Sequence, residues 1–272
     1  MISRMFRLTR EVRFAINDAP DDQLDHPPAN AYGGYPALRG FGQFVALRVT
    51  LEGNLHPQSG YLRNIKEIDQ AVRQKIIASV AGAKELSREQ PDLALKSFAS
   101  GIFTTLSHGW EPDKLHSVTL ALTPTLSISQ FASESPMQTR LSQKFEFCAA
   151  HRLHNPQLSE DENRRTYGKC NNPHWHGHNY EVQVTLRGES NSSGLLLGLP
   201  VFEKIVSEFA IQKLDHKNLN TEVPEFRDLI PTVENIAMVI FRMLKNCFTG
   251  VGAQLASVTV WETPKTWCEY FE

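Results

Sequence analysis

Apolar and polar residues alternate with a period of two through Tyr180, Val182, Val184 and Leu186, the mark of a half-buried strand. The same reading predicts strands over residues 141–152 and 177–188. It also predicts a closing hairpin over 256–262 and 266–271 that turns at Thr263-Pro264-Lys265. Between them, Phe202, Ile205, Val206, Phe209 and Ala210 recur every three to four residues and predict one face of a helix. Pro231-Thr232 is a favoured helix start, and the helix it opens turns Ile236, Ile240, Met243 and Leu244 inward. In the first half, Ile65, Ile68, Val72, Ile76 and Val80 predict a single helix. Two strands, a helical region and two more strands in each half make the class α+β.

The halves also resemble each other in detail. Tyr32 to Phe44 can be laid without gaps on Tyr167 to Asn179, and Val49-Thr50-Leu51-Glu52-Gly53 on Val184-Thr185-Leu186-Arg187-Gly188. Ser59-Gly60-Tyr61-Leu62 matches Ser193-Gly194-Leu195-Leu196, and the run Ser117 to Pro124 matches Ser257 to Pro264. A repeat this long is no solenoid. It predicts a tandem duplication, with domains at 1–135 and 136–272 joined near Ala132-Ser133-Glu134-Ser135-Pro136.

Composition narrows the function classes. The chain of 272 residues is 41% hydrophobic and 21% charged, as ordinary globular proteins are. A net charge of -2 offers no basic footprint for nucleic acid. No apolar stretch has the length of a membrane span, and the start has no signal-peptide core, so the expectation is no membrane and a cytoplasmic location. Cys148, Cys170, Cys247 and Cys268 form no C-x-x-C pair and read as reduced thiols.

Candidate chemistry gathers in the second half. His176 and His178, two apart on a strand, point to one face, and His151 ends another strand-like run. Three imidazoles with an open fourth position fit a catalytic zinc site, with Cys170 as a nearby thiol; two surface histidines on a strand are the plain alternative. Asp215 beside His216 suits proton transfer near neutral pH, or else is a helix end where histidine meets the C-terminal dipole. Glu262 interrupts an apolar strand and suits the paired donors of a planar, guanidine-like edge; an exposed glutamate is the alternative. Thr232 has its own alternative as a helix cap. Under the gapless match, Phe41 and Gln43 stand opposite His176 and His178, Tyr35 opposite Cys170 and Leu122 opposite Glu262. His151 falls opposite a position within 15–18, which holds no histidine. The first half therefore keeps the scaffold without the chemistry.

Ala149-Ala150-His151-Arg152-Leu153, Gly168-Lys169-Cys170-Asn171-Asn172-Pro173 and His176-Gly177-His178-Asn179-Tyr180 follow one another in order. Leu214-Asp215-His216, Pro231-Thr232-Val233-Glu234-Asn235 and Glu262-Thr263 complete the series. Together they resemble the 6-pyruvoyl-tetrahydropterin synthase family, which includes the bacterial 6-carboxy-tetrahydropterin synthases of the queuosine pathway. The resemblance implies the tunnelling fold, in which antiparallel sheets from several domains close a barrel and sites form between neighbours. It implies that His151, His176 and His178 hold Zn²⁺, which binds the side-chain hydroxyls of a dihydropterin triphosphate. Cys170 would be the general base, its thiol acidified by the nearby ion. Asp215 and His216 would move protons on the other face, and Glu262 would anchor the amino-pyrimidine edge with Thr232 or its backbone nearby.

The activity so implied is a zinc-dependent lyase on 7,8-dihydroneopterin triphosphate, giving 6-pyruvoyl-tetrahydropterin or 6-carboxy-5,6,7,8-tetrahydropterin. The Cys170-to-His176 spacing and the 152–167 insertion resemble the pyruvoyl type, whereas Pro231-Thr232 before Glu234-Asn235 is also common in the carboxy type. A homo-oligomer, a trimer of two-domain chains imitating a hexamer of single-domain ones, would give the silent half a purpose. The alternatives are a zinc-dependent hydrolase of a pterin or purine nucleotide, and a non-catalytic pterin-binding or assembly protein.

Overall fold

Strands form where apolar residues alternate, and helices form where they recur every three to four. The computed structural model describes residues 5–18, 30–89, 101–134, 138–189 and 196–272, with the backbone alone at 85–89. Ser135 and Pro136 of the expected joint lie outside the described residues, as do Ser193, Gly194 and Leu195 of the repeat. The chain divides into two compact units, Met1–Leu141 with Gly188–Leu196, and Ser142–Arg187 with Leu197–Glu272.

In the first unit, β1 (Phe6–Ile16), β2 (Gln43–Gly53), β3 (Lys114–Ala121) and β4 (Leu126–Phe131) pair antiparallel in chain order. Val12 lies opposite Leu47 and Phe14 opposite Val45, and with Val49 and Leu51 they build the buried face. Each such side chain contributes about 1.5–3 kcal/mol on full burial. The helix predicted from Ile65 to Val80 is two, α1 (Ile65–Lys75) and α2 (Ile77–Glu89), interrupted at Ile76. Asn64 caps α1 by accepting from the Lys66 amide. Ile68, Val72, Ile76 and Val80 are buried as expected, but Ile65, in the uncovered first turn, is 42% exposed.

In the second unit β5 (Gln138–His151), β6 (His176–Glu189), β8 (Gln254–Thr263) and β9 (Thr266–Tyr270) are neighbours in that order. A two-residue strand, β7 (Lys217–Asn218), runs parallel to the end of β5. The 152–167 insertion carries α3 (Glu160–Tyr167), opened by a capping box in which Ser159 and Glu162 satisfy each other's backbone amides. α4 (Leu199–Val206) continues through a π turn at Ser207–Ile211. That wider turn carries one extra residue, and Phe209, predicted to face inward, is 43% exposed while Val206, Ala210 and Leu214 stay buried. α5 (Val233–Leu244) buries Ile236, Ile240 and Leu244, with Thr232 as its cap.

The two units share irregularities as well as elements. The β2–β3 register slips between Thr50 and Leu51, with Thr50 opposite Ser117 and Leu51 opposite Leu115. The β6–β8 register slips between Thr185 and Leu186, with Thr185 opposite Ser257 and Leu186 opposite Leu255. Thr9 and Thr50 join hydroxyls at 2.9 Å across β1 and β2, and Ser142 and Thr185 do so at 2.9 Å across β5 and β6. Arg10 reaches from strand to helix to Asp69, as Gln143 does to Glu203. A side chain on Gly42 would come within 2.9 Å of the Ile16 carbonyl, so the backbone just before β2 must be bare there.

Candidate metal centre

His151 is the last residue of β5, and His176 and His178 are the first and third of the neighbouring β6. The two-residue period of a strand sends both β6 imidazoles to one face, beside His151. The ring centroids of His151 lie 4.4 Å from His176 and 5.1 Å from His178, and those of His176 and His178 lie 5.0 Å apart. One ring nitrogen from each falls within 4.8 Å of the others. His151 is wholly buried and the other two are partly so.

Hydrogen bonding fixes the proton on His151. Its Nδ1 lies 2.8 Å from the Pro231 carbonyl, which can only accept, so Nδ1 carries the hydrogen and Nε2 offers a lone pair. That Nε2 faces His176 Nε2 at 3.0 Å. His176 Nδ1 and His178 Nε2 are buried without a hydrogen-bond partner among the described residues. Burial, above all, pushes the His151 imidazole down to about 4, and burial with His178 nearby lowers His176 as well. Near neutral pH the His151 and His176 rings therefore face one another uncharged. A cation satisfies that arrangement, and three imidazoles fit a divalent transition metal.

Glu262 reaches the same point from β8. Trp261 pairs with Trp267 and Thr263 with Thr266, so Glu262 is the residue left over at a register slip between them. Such a bulge re-aims a side chain, which accounts for a carboxylate interrupting an apolar strand. Oε1 of Glu262 lies 3.3 Å from His151 Nε2 and 3.4 Å from His178 Nε2. Glu262 also lines a cleft of about 430 Å³ with Asn179, Glu181, Trp261, Thr263 and Pro264.

Cys170 sits in the 3₁₀ turn Gly168–Asn171, whose position is fixed by the Leu153 amide donating to the Cys170 carbonyl at 2.9 Å. The chain alone raises this thiol, through burial first and the Glu262 carboxylate second. Asp215 and His216 form a separate dyad, His216 Nδ1 to Asp215 Oδ2 at 2.9 Å. It is tied to β5 at Cys148, whose amide donates to Asp215 Oδ1 at 2.8 Å and whose carbonyl accepts from the His216 amide at 2.6 Å. The Cys148 amide, then His216, hold the Asp215 carboxyl below its ordinary value. Neither residue has a hydrogen bond or ion pair to the three histidines among the described residues. His216 is largely exposed and adopts a left-handed backbone, φ 57°.

The Thr232 hydroxyl accepts from the Asn235 amide and so serves as the helix cap. Its neighbour's carbonyl, on Pro231, is the group that touches the site. The apolar pattern also hid Tyr180, which stacks on Phe147 at 4.8 Å and brings its hydroxyl within 3.3 Å of His151 Nδ1.

Comparison with known proteins places residues 140–272 in the profile described as 6-pyruvoyl tetrahydropterin synthase. Over 127 residues the chain is 43% identical to a 6-pyruvoyl tetrahydrobiopterin synthase of Homo sapiens, covering 46% of this chain and 86% of that protein. Over 154 residues it is 27% identical to a 6-carboxy-5,6,7,8-tetrahydropterin synthase of Haemophilus influenzae, covering 49% of this chain and 99% of that one. The solved 6-pyruvoyl tetrahydropterin synthase of Caenorhabditis elegans is 39% identical, covers 50% of this chain and 96% of its own, and superposes with a TM-score of 0.47.

Proposed function

Because the chain belongs, through residues 140–272, to the 6-pyruvoyl tetrahydropterin synthase family, with its α+β tunnelling fold, we propose that it is a zinc-dependent lyase acting on 7,8-dihydroneopterin triphosphate. The observation that carries this reading is the meeting of His151, His176 and His178, a ring nitrogen from each within 4.8 Å of the others, with a carboxylate at their edge. Among the described residues no helix is long and apolar enough to cross a membrane.

When bound, the divalent ion supplies positive charge that acidifies the hydroxyl-bearing carbons of the substrate side chain. Glu262, at the rim of its cleft, accepts the paired N–H donors of the substrate's amino-pyrimidine edge. Cys170 as thiolate takes a proton from the side-chain carbon. Asp215 holds His216 oriented, and the pair returns protons from the other side. Thr232 contributes by setting the start of α5, which presents the Pro231 carbonyl to His151.

Identity of 43% to a pyruvoyl-type relative against 27% to a carboxy-type one favours the pyruvoyl product. The test is incubation with 7,8-dihydroneopterin triphosphate and zinc, read by product mass. Release of triphosphate with a 6-pyruvoyl-tetrahydropterin mass is expected. A carboxy product with acetaldehyde would move the assignment to the second type, and retained triphosphate or no turnover would overturn it.

Residues 1–135 serve as a silent copy of the 136–272 domain. The shared register slip, the paired hydroxyls and the strand-to-helix links support this reading. The assembly is a homo-oligomer, a trimer of two-domain chains in the cytoplasm. Exposed Met5 and Phe6 near β1, and Trp267 and Phe271 near β9, support further pairing at these strands. A stable monomer in solution mass measurements would contradict it.

A further inference from the structure

We infer that His154 is a positioning residue for Cys170, acting through the side chain of Asn171. This rests on the function proposed above and deepens it, since there Cys170 takes the proton but nothing holds the thiol in place.

The turn that carries Cys170 has little hold of its own. It is four residues of 3₁₀ helix, Gly168–Asn171, with no side-chain cap at Tyr167, and it is entered through Gly168 at φ 52°. So short a 3₁₀ run has few internal hydrogen bonds, and those are poorly aligned. Its place is set from outside, by the residues that follow His151 in the chain. The Leu153 amide donates to the Cys170 carbonyl at 2.9 Å, and Arg152 Nε donates to the Asn171 carbonyl at 3.1 Å. His154 Nδ1 lies 3.1 Å from Asn171 Oδ1, which can only accept, so the imidazole is the donor. Asn171 is 7% exposed, so water does not readily replace that donor.

The segment that does the holding is itself fixed at both ends. Asn220 accepts from the Arg152 amide at 2.8 Å and donates to the Arg152 carbonyl at 2.9 Å, as a neighbouring strand would. Asn163, wholly buried in α3, does the same for the Asn155 amide and carbonyl, at 2.7 and 2.9 Å. Arg152–Asn155 is therefore a braced span between the end of β5 and α3, and Cys170 hangs from its middle. The link from His154 runs from side chain to side chain. One substitution removes it and leaves the backbone bonds of Leu153 and Asn220 in place.

A reacting group misplaced by about 1 Å costs up to about 10²-fold in rate. In the zinc-loaded full chain, H154A is expected to lower kcat by about tenfold or more, with KM changed by less than about threefold. Asparagine places an amide N–H close to where the imidazole carries Nδ1, so H154N should return kcat to within about threefold of wild type. Iodoacetamide, followed residue by residue through peptide masses, reads the thiol without turnover. Cys170 should alkylate at least about threefold faster in H154A than in wild type or H154N, while Cys247 keeps its rate as the control. Should H154A fail to fold, R152M, which removes the donor to the Asn171 carbonyl, carries the same alkylation test. Wild-type kcat and wild-type Cys170 alkylation in H154A would overturn the inference and leave the proposed function standing, and so would an H154N no better than H154A. A wild type without turnover would overturn the proposed function, and alkylation alone would then decide whether His154 sets the place of Cys170.

Discussion

His151 donates from Nδ1 to the Pro231 carbonyl across 2.8 Å, so the start of α5 decides which nitrogen of a β5 histidine faces the other two histidines. The bond holds the ring in one tautomer and leaves Nε2 bare toward His176. Outer partners of this kind set both the orientation and the basicity of a ligand imidazole.

Acid sensitivity of the metal-free protein follows from the same residue. Burial lowers His151 from 6.5 to about 4 in the folded state. Between those values the unfolded chain binds a proton that the folded chain does not, so stability rises with pH. The contribution is fully present above the unfolded value and is lost as pH falls from 6.5 towards about 4. It amounts to at most about 3 kcal/mol at this one site. Urea midpoints in chelator across that range should fall with acidity for wild type and much less for H151Q; parallel curves would contradict the assignment.

Cys170 should separate binding from turnover. C170A is expected to keep its metal and lose about 10²- to 10⁴-fold in kcat, the usual worth of a general base. Because burial and Glu262 raise the thiol in the metal-free chain, adding zinc should lower the pH at which it alkylates. Unchanged turnover in C170A would remove it from the mechanism.

The dyad can be tested apart from the metal. D215N should keep metal content and lower kcat by about 10²-fold or more, with a broadened or shifted pH profile. Equal pH profiles for variant and wild type would make Asp215 only a tie to the Cys148 amide.

Trp175, immediately before His176, holds a left-handed backbone at φ 65°. It follows a turn in which the Trp175 amide donates to the Asn172 carbonyl and the His174 amide to the Asn172 side chain, and the chain must then reverse into β6. For an L residue that conformation costs about 1–2 kcal/mol. W175G should therefore be close to neutral in stability, since relief of strain offsets about 0.5–1 kcal/mol of added chain entropy. W175V, branched at Cβ, should be the less stable variant by about 1 kcal/mol or more. Denaturant midpoints of the pair decide the matter, and equal stability would rule out backbone strain there.

Features with a fixed period were legible in the sequence, and those set by tertiary contacts were not. The i, i+2 rule alone brought His176 and His178 to one face, and the apolar alternation located β5, β6 and the last hairpin within a few residues. Glu262 stood out as a charge in an apolar strand, but its aim depends on a bulge that only strand pairing reveals. The Pro231 carbonyl left no trace, because any residue carries one. Tyr180 read as one more apolar position, since its ring does stack in the core while its hydroxyl serves the site. Phe209 turned outward because a π turn shifted the helical period, and no residue pattern announced that turn.

Metal content per chain after purification and zinc loading, for wild type and H176A, decides whether the three histidines hold an ion. One zinc per wild-type chain and none retained by H176A, with both folded by circular dichroism, is the predicted result. A wild-type chain that takes up no zinc, or an H176A variant that holds it equally well, would contradict an ion held by these histidines.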